Sequence, residues 1–168
     1  MDITFAIVTC SDTRAVEQDE AGAALAELIA AEGWALASHV VVPDDRAQIS
    51  AAIRDAADVR GADIVLTCGG TGLSPRDVTP EATADVCERD VPGVAEAIRA
   101  YSLSKTRRAM LSRARCMQRF VRGGDDMPTG KLCLVVNFPG STKAARECWE
   151  SVADQFEHAM KMSVGGGH

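Results

Sequence analysis

Residues 63–83 read DIVLTCGGTGLSPRDVTPEAT. Asp63 to Thr67 is a short apolar run of the kind that forms a buried strand. It runs straight into Gly69-Gly70-Thr71-Gly72, followed by Ser74-Pro75-Arg76-Asp77. Thr79-Pro80-Glu81 then has the form of a helix start. Thr serves as N-cap, Pro fits the first turn, and Glu suits the positive end of the helix dipole. Strand, glycine turn and helix in that order make one unit of an α/β fold.

The same alternation precedes this unit. Ile3 to Thr9 reads as a strand. Glu20 to Glu32 places Leu25, Leu28 and Ile29 on one helical face, with Gly33 just beyond it. Ala35 to Val42 is a second strand, stopped by Pro43-Asp44-Asp45. Arg46 to Val59 carries Ile49, Ile53, Ala56 and Ala57 at helical spacing. Alternation of this kind predicts parallel strands, right-handed crossovers and helices on both sheet faces. Downstream, Val91-Pro92-Gly93 separates the helix opened at Thr79 from another that runs to about Leu103. Met117 to Val121 and Lys131 to Phe138 read as an antiparallel hairpin around the flexible Gly123 to Gly130. A last helix, starting near Ser141, turns Ala145, Cys148, Trp149, Val152, Phe156 and Ala159 inward. With no internal repeat or linker, the expectation is one α/β domain over 1–164, a three-layer sandwich on a mostly parallel mixed sheet. Residues 165–168 read as a flexible tail.

Composition narrows the function. The 168 residues are 46% hydrophobic, enough for a core, but only 4% aromatic, which argues against base-stacking platforms for single-stranded nucleic acid. A formal net charge of −6 disfavours binding to phosphate polymers. Lys105, Arg107, Arg108, Arg113, Arg115, Arg119 and Arg122 nonetheless crowd one stretch, either a solvated face or an anion-binding rim. The six cysteines form no C-x-x-C pair, and the chain begins on a core-like strand rather than a signal peptide. They read as reduced, buried side chains of a cytoplasmic protein. No apolar run approaches the ~20 residues needed to cross a bilayer. The histidines show no zinc-ligand spacing.

In open α/β sheets, ligands bind at the carboxyl ends of the strands. Three polar segments leave strand ends here: Ser11-Asp12, Asp44-Asp45, and the glycine loop with Asp77. Parallel strands would open all three on one edge. Gly69, Gly70, Thr71 and Gly72 either form a tight structural turn or bring backbone N–H groups to a phosphate. The loop lacks both the Walker A ending and the G-x-G-x-x-G spacing. Asp44 and Asp77 either cap the helices that follow them or hold Mg²⁺, which takes one or two carboxylates together with substrate phosphates. Pro139-Gly140-Ser141 follows a strand and opens a helix, where Ser141 caps or meets an anion.

These residues together resemble the MogA/MoaB family of molybdenum-cofactor biosynthesis. The resemblance rests on Gly69-Gly70-Thr71-Gly72 with Arg76-Asp77-Val78-Thr79-Pro80-Glu81-Ala82. It extends to Ser11-Asp12, Pro43-Asp44, Leu111-Ser112-Arg113-Ala114 and Pro139-Gly140-Ser141. It implies a molybdopterin adenylyltransferase that joins the AMP of Mg-ATP to the terminal phosphate of molybdopterin and releases pyrophosphate. It implies that the glycine loop cradles phosphate, that Asp44 and Asp77 position Mg²⁺, and that Ser11, Asp12, Thr71, Ser74 and Pro139 to Ser141 line the pocket. It further implies a homotrimer or a multiple of trimers, and hand-over of product to a molybdate-insertion enzyme, with no nucleic-acid or membrane partner. The alternative is a molybdopterin-binding module or scaffold of the same fold without catalysis.

Overall fold

The computed structural model describes residues 1–166; the end of the expected tail, 167–168, lies outside them. The described residues form six strands and six α-helices. The strands are β1 (Thr4–Cys10), β2 (Ala35–Val42), β3 (Ile64–Cys68), β4 (Arg89–Asp90), β5 (Cys116–Arg122) and β6 (Pro128–Phe138). The helices are α1 (Glu20–Ala31), α2 (Arg46–Arg54), α3 (Thr79–Ala84), α4 (Pro92–Leu103), α5 (Thr142–Val152) and α6 (Phe156–Ser163).

They form one sheet in the order β2-β1-β3-β6-β5-β4. The β2, β1, β3 and β6 strands run parallel, and the β6-β5-β4 side is antiparallel. The parallel register aligns Thr9 with Val41 and with Cys68, and Cys68 with Phe138. Four strands therefore end together, and the loops that follow them share one edge. The strands alternate their buried side chains between two cores. Phe5, Ile7, Ile64 and Leu66 pack with α1, α4, α5 and α6. Ala6, Val8 and Val65 pack with Ile49 and Ile53 of α2 and Ala82 of α3. This is the expected three-layer sandwich. On the first face, Phe5, Trp34, Trp149 and Phe156 form an aromatic cluster with centroids 5.3–6.4 Å apart.

Some local expectations change. The helix read as Arg46 to Val59 is α-helical only to Arg54 and continues as a π-helical turn, Asp55–Val59. The helix read from Ser141 onward is two helices, parted by a 3₁₀ turn at Ala153–Gln155. The Thr79 residue is not an N-cap: the cap position is Val78, and Thr79 and Pro80 open the first turn. The two-residue β4 has no apolar alternation by which the sequence could announce it. Asp19, which accepts the Gly22 amide at 3.0 Å and caps α1, is fully buried and also takes bonds from the Thr9 hydroxyl and the His39 ring. Burial opposes its charge, but those bonds prevail and hold its carboxyl below the usual carboxylate range.

Candidate active site

The expected sheet-edge site is assembled from four loops. After β1, the Ser11 amide donates to Val42 O at 2.9 Å, joining the first loop to the second. Ser11 Oγ accepts the amides of Thr13 and Arg14, both at 3.3 Å, so its hydroxyl stabilises the turn. Asp12 and Asp44 are bonded reciprocally. The Asp12 amide donates to Asp44 Oδ2 at 3.2 Å, and the Asp44 amide donates to Asp12 Oδ1 at 3.0 Å. The helix cap is instead Asp45, which accepts Gln48 N at 2.9 Å. Asp44 is thus left beside the glycine loop and free of the capping role.

Gly70 has φ +68°, and a Cβ on it would overlap Thr79 Oγ1 and stand 3.4 Å from Asp44 Oδ1. Only glycine fits where the loop passes between this hydroxyl and this carboxylate. Gly72 is crowded in the same way from the other acid: a Cβ there would lie 2.9 Å from Asp77 Oδ2. Asp77 does not cap α3. Its Oδ2 accepts the Ser74 amide at 3.0 Å, closing the turn that follows the glycines. The Ser74 hydroxyl accepts Arg76 N at 3.2 Å. At β6, Gly69 N donates to Phe138 O at 2.9 Å, and Gly140 packs against Gly69. Ser141 caps α5 by accepting Ala144 N at 3.2 Å, and Arg14 reaches Gly140 O at 3.1 Å.

The two acids of the reciprocal pair differ electrostatically. The Arg76 guanidinium grips Asp12 with bonds of 2.8–3.1 Å and holds its carboxyl below the usual range. Asp44 is pushed up, first by burial and then by the charge of Asp12, with a smaller contribution from Asp77. Among the described residues no three His, Cys, Asp or Glu side chains converge on a metal cage. Asp44 and Asp77 are hard oxygen donors. As a pair they suit a magnesium ion that completes its shell with substrate phosphates and water rather than protein.

On the other side of the glycine loop lies a cavity of about 510 Å³ with a mostly apolar lining. Thr71 and Pro139 form one wall; Ile98, Leu111, Ala144 and Cys148, from α4, the 107–111 turn and α5, form the rest. Its size and character suit a small organic ligand. The sequence reading reached Thr71, Gly72 and Pro139 but not the helical walls, whose residues look like ordinary core. It took in Asn137 only as the start of the segment that runs through Pro139 into the last helix and gave its side chain no role. Asn137 is buried beneath the cavity. Its Nδ2 donates to Thr67 Oγ1 at 3.0 Å and Thr83 Oγ1 at 2.9 Å, and its Oδ1 accepts Arg115 N at 3.1 Å.

The basic run divides. Arg113 turns inward to the glycine loop, Arg115 pairs with Asp90 at 2.6 Å, and Arg119 is buried against Asp58. Lys143, exposed at the start of α5, lies 3.9 Å from Glu147 one turn further on. All six cysteines are buried, and burial pushes their thiols up, that of Cys10 to about 12. Cys68 is wholly buried beneath the loop and is no nucleophile.

A three-layer α/β domain with a glycine loop, two edge carboxylates and a neighbouring apolar cavity has the form of a small-ligand site at the carboxyl ends of parallel strands. Residues 6–158 match the family model described as a probable molybdopterin binding domain, and the chain belongs to that family. It is 35% identical over 164 residues to the molybdenum cofactor synthesis protein cinnamon of Drosophila melanogaster; the match takes in 95% of this chain but only 25% of that protein's length. A molybdopterin adenylyltransferase of Helicobacter pylori strain J99 is 32% identical, with 97% of this chain and 89% of that protein covered. Among solved structures, the molybdopterin biosynthesis enzyme MoaB of Thermus thermophilus superposes with a TM-score of 0.81 at 38% identity, covering 97% of both chains.

Proposed function

We propose that this protein is a molybdopterin adenylyltransferase. A terminal phosphate oxygen of molybdopterin attacks the α-phosphorus of ATP, a P–O bond forms, the bond to the β-phosphate breaks, and pyrophosphate leaves. The reading is supported most by the convergence of Asp44 and Asp77 on the glycine loop, with the apolar cavity directly behind it. A binding module would need the cavity but not two carboxylates facing the loop.

In this reading the loop amides of Gly70, Thr71 and Gly72 take the phosphate, with Gly69 tied to Phe138 beneath them, and the cavity takes the heterocycle of a substrate. Ser11, Asp12, Ser74 and Pro139 to Ser141 hold the surrounding turns in place. Asp44 and Asp77 hold Mg²⁺, which supplies neutralisation of phosphate charge when bound. Catalysis then rests on positioning and charge stabilisation. The protein works in the cytoplasm, as a homotrimer or a multiple of trimers, and passes its product to a molybdate-inserting enzyme. Six buried, unpaired thiols accord with a reducing setting.

The test is turnover. Purified protein with molybdopterin and Mg-ATP is expected to yield adenylylated molybdopterin and pyrophosphate, and Asp77→Asn is expected to bind molybdopterin without making product. Molybdopterin binding with no product from the wild type would assign the fold a carrier role instead.

A further inference from the structure

We infer that Arg113 is the positioning residue of the site, a staple that fixes the glycine loop and the backbone of Asp77 relative to α3; the link to turnover rests on the adenylyltransferase reading above. Arg113 makes four contacts to this one region. Its amide donates to Thr71 O at 2.9 Å. Its Nε donates to Gly72 O at 2.8 Å, and one terminal nitrogen donates to Asp77 O at 2.6 Å. The other terminal nitrogen is ion-paired with Glu81 in the first turn of α3. The carbonyls of Gly72 and Asp77 bracket the Leu73 to Arg76 turn, and one planar guanidinium spans both.

Three features show why arginine is required. The guanidinium presents its donors in a fixed fork, whereas a lysine ammonium is a single point that cannot reach two carbonyls and a carboxylate at once. The turn is otherwise held only at its end and by itself: Leu73, Ser74, Pro75 and Arg76 are exposed, Arg76 is paired with Asp12, and the internal bonds are the Ser74 and Asp77 turn contacts. Finally, Glu81 is ion-paired with Arg113 while its Oε2 is buried without a hydrogen-bond partner, so Arg113 neutralises that carboxylate directly and Arg46 acts on it only from a distance. Every hydrogen bond of the Arg113 guanidinium goes to the loop or to Glu81, so it acts through the loop.

The experiment compares wild type, Arg113→Lys and Glu81→Gln for turnover with molybdopterin and Mg-ATP, and for amide hydrogen exchange over residues 70–79. Arg113→Lys is expected to lower kcat about 100-fold, the cost typical of small misplacements, with KM for molybdopterin nearly unchanged. Its Ser74 and Asp77 amides are expected to exchange faster than in wild type. Glu81→Gln keeps the two carbonyl bonds but weakens the tie to α3, and is expected to lower kcat less than Arg113→Lys does. An Arg113→Lys protein with wild-type kcat or unchanged loop exchange overturns the inference, as does a loss of activity that merely follows melting temperature. Should that variant fail to fold, exchange in the wild type decides: protected Ser74 and Asp77 amides on an exposed loop support the staple, and free-chain rates refute it. Absence of product from the wild type would sink the adenylyltransferase reading alone, because the exchange data judge Arg113 without it.

Discussion

The Asp12 and Asp44 residues exchange backbone-to-carboxylate bonds across two loops, at 3.2 and 3.0 Å, yet their acidities are driven apart. Asp12 is lowered by its Arg76 partner, and Asp44 is raised by burial and by Asp12 itself. The signs follow from linkage. The contribution of Asp12 to stability is present above the ordinary carboxylate value and fades as pH falls through its lowered native value. The native state holds the Asp44 proton more tightly than the unfolded chain does, so its contribution fades as pH rises through the raised value. With no metal bound, Asp44 takes up its proton above the ordinary carboxylate range, and Mg²⁺ on that carboxylate would oppose the shift. The Asp12→Asn variant removes one of the charges that raise Asp44 and is expected to lower the pH at which Asp44 protonates in the metal-free protein. A carboxyl NMR titration without Mg²⁺ checks this, and an unmoved Asp44 titration would show that Asp12 does not act on it.

Gly70→Ala is expected to be costly. An L-residue in the left-handed region loses about 1–2 kcal/mol before any clash is counted. The new Cβ would also overlap Thr79 Oγ1 and stand 3.3 Å from Thr79 Cβ. Thr79 cannot retreat easily, because its amide is bonded to Gly70 O at 3.1 Å. Thermal melts are expected to fall by several degrees. Thr79→Ala should relieve part of the loss, leaving the conformational term; strict additivity in the double-mutant cycle would show that the two side chains do not meet.

Much of this architecture was legible because periodicity and turn chemistry are local. The β3 strand, its glycine loop and the convergence of three loops on one edge follow from apolar runs and parallel alternation. What was not legible depended on neighbours distant in sequence. Nothing local distinguishes Asp44 from Asp45 as the capping acid. Thr79 looks like an N-cap until Gly70 is packed against it. Arg113 sits in a basic run that reads as solvent-facing or anion-binding, yet its partners are 32–42 residues away. The apolar cavity borrows Ile98 and Cys148 from helices whose spacing looks like that of core.

The same basic run contains a buried ion pair with a different consequence. Arg119 and Asp58 have side chains 6% and 15% exposed, so neither charge is well solvated. Arg119 also donates to Val86 O at 2.6 Å, and Asp58 accepts Arg122 N at 3.1 Å. Removing one partner strands the other, which costs about 3–5 kcal/mol. Asp58→Ala is therefore expected to lower the urea midpoint strongly with little change in the slope. The pair is remote from the sheet-edge loops, so turnover per folded molecule in the cold should stay near wild type. A selective loss of kcat would contradict the assignment of this pair to stability.

Adjacent aspartates give the cleanest separation of roles. Asp45 accepts Gln48 N at 2.9 Å and caps α2, whereas Asp44 faces Gly70 and Asp12. Loss of an Asp N-cap costs about 1 kcal/mol. Asp45→Ala should thus lower the melting temperature by a few degrees and leave kcat close to wild type. Asp44→Ala removes a partly desolvated carboxylate beside the loop and should change stability little while abolishing adenylyl transfer. Melting curves and turnover measured on both variants decide the matter. If Asp45→Ala loses activity at temperatures where it is folded, or Asp44→Ala keeps it, the acid at the site has been misassigned by one residue.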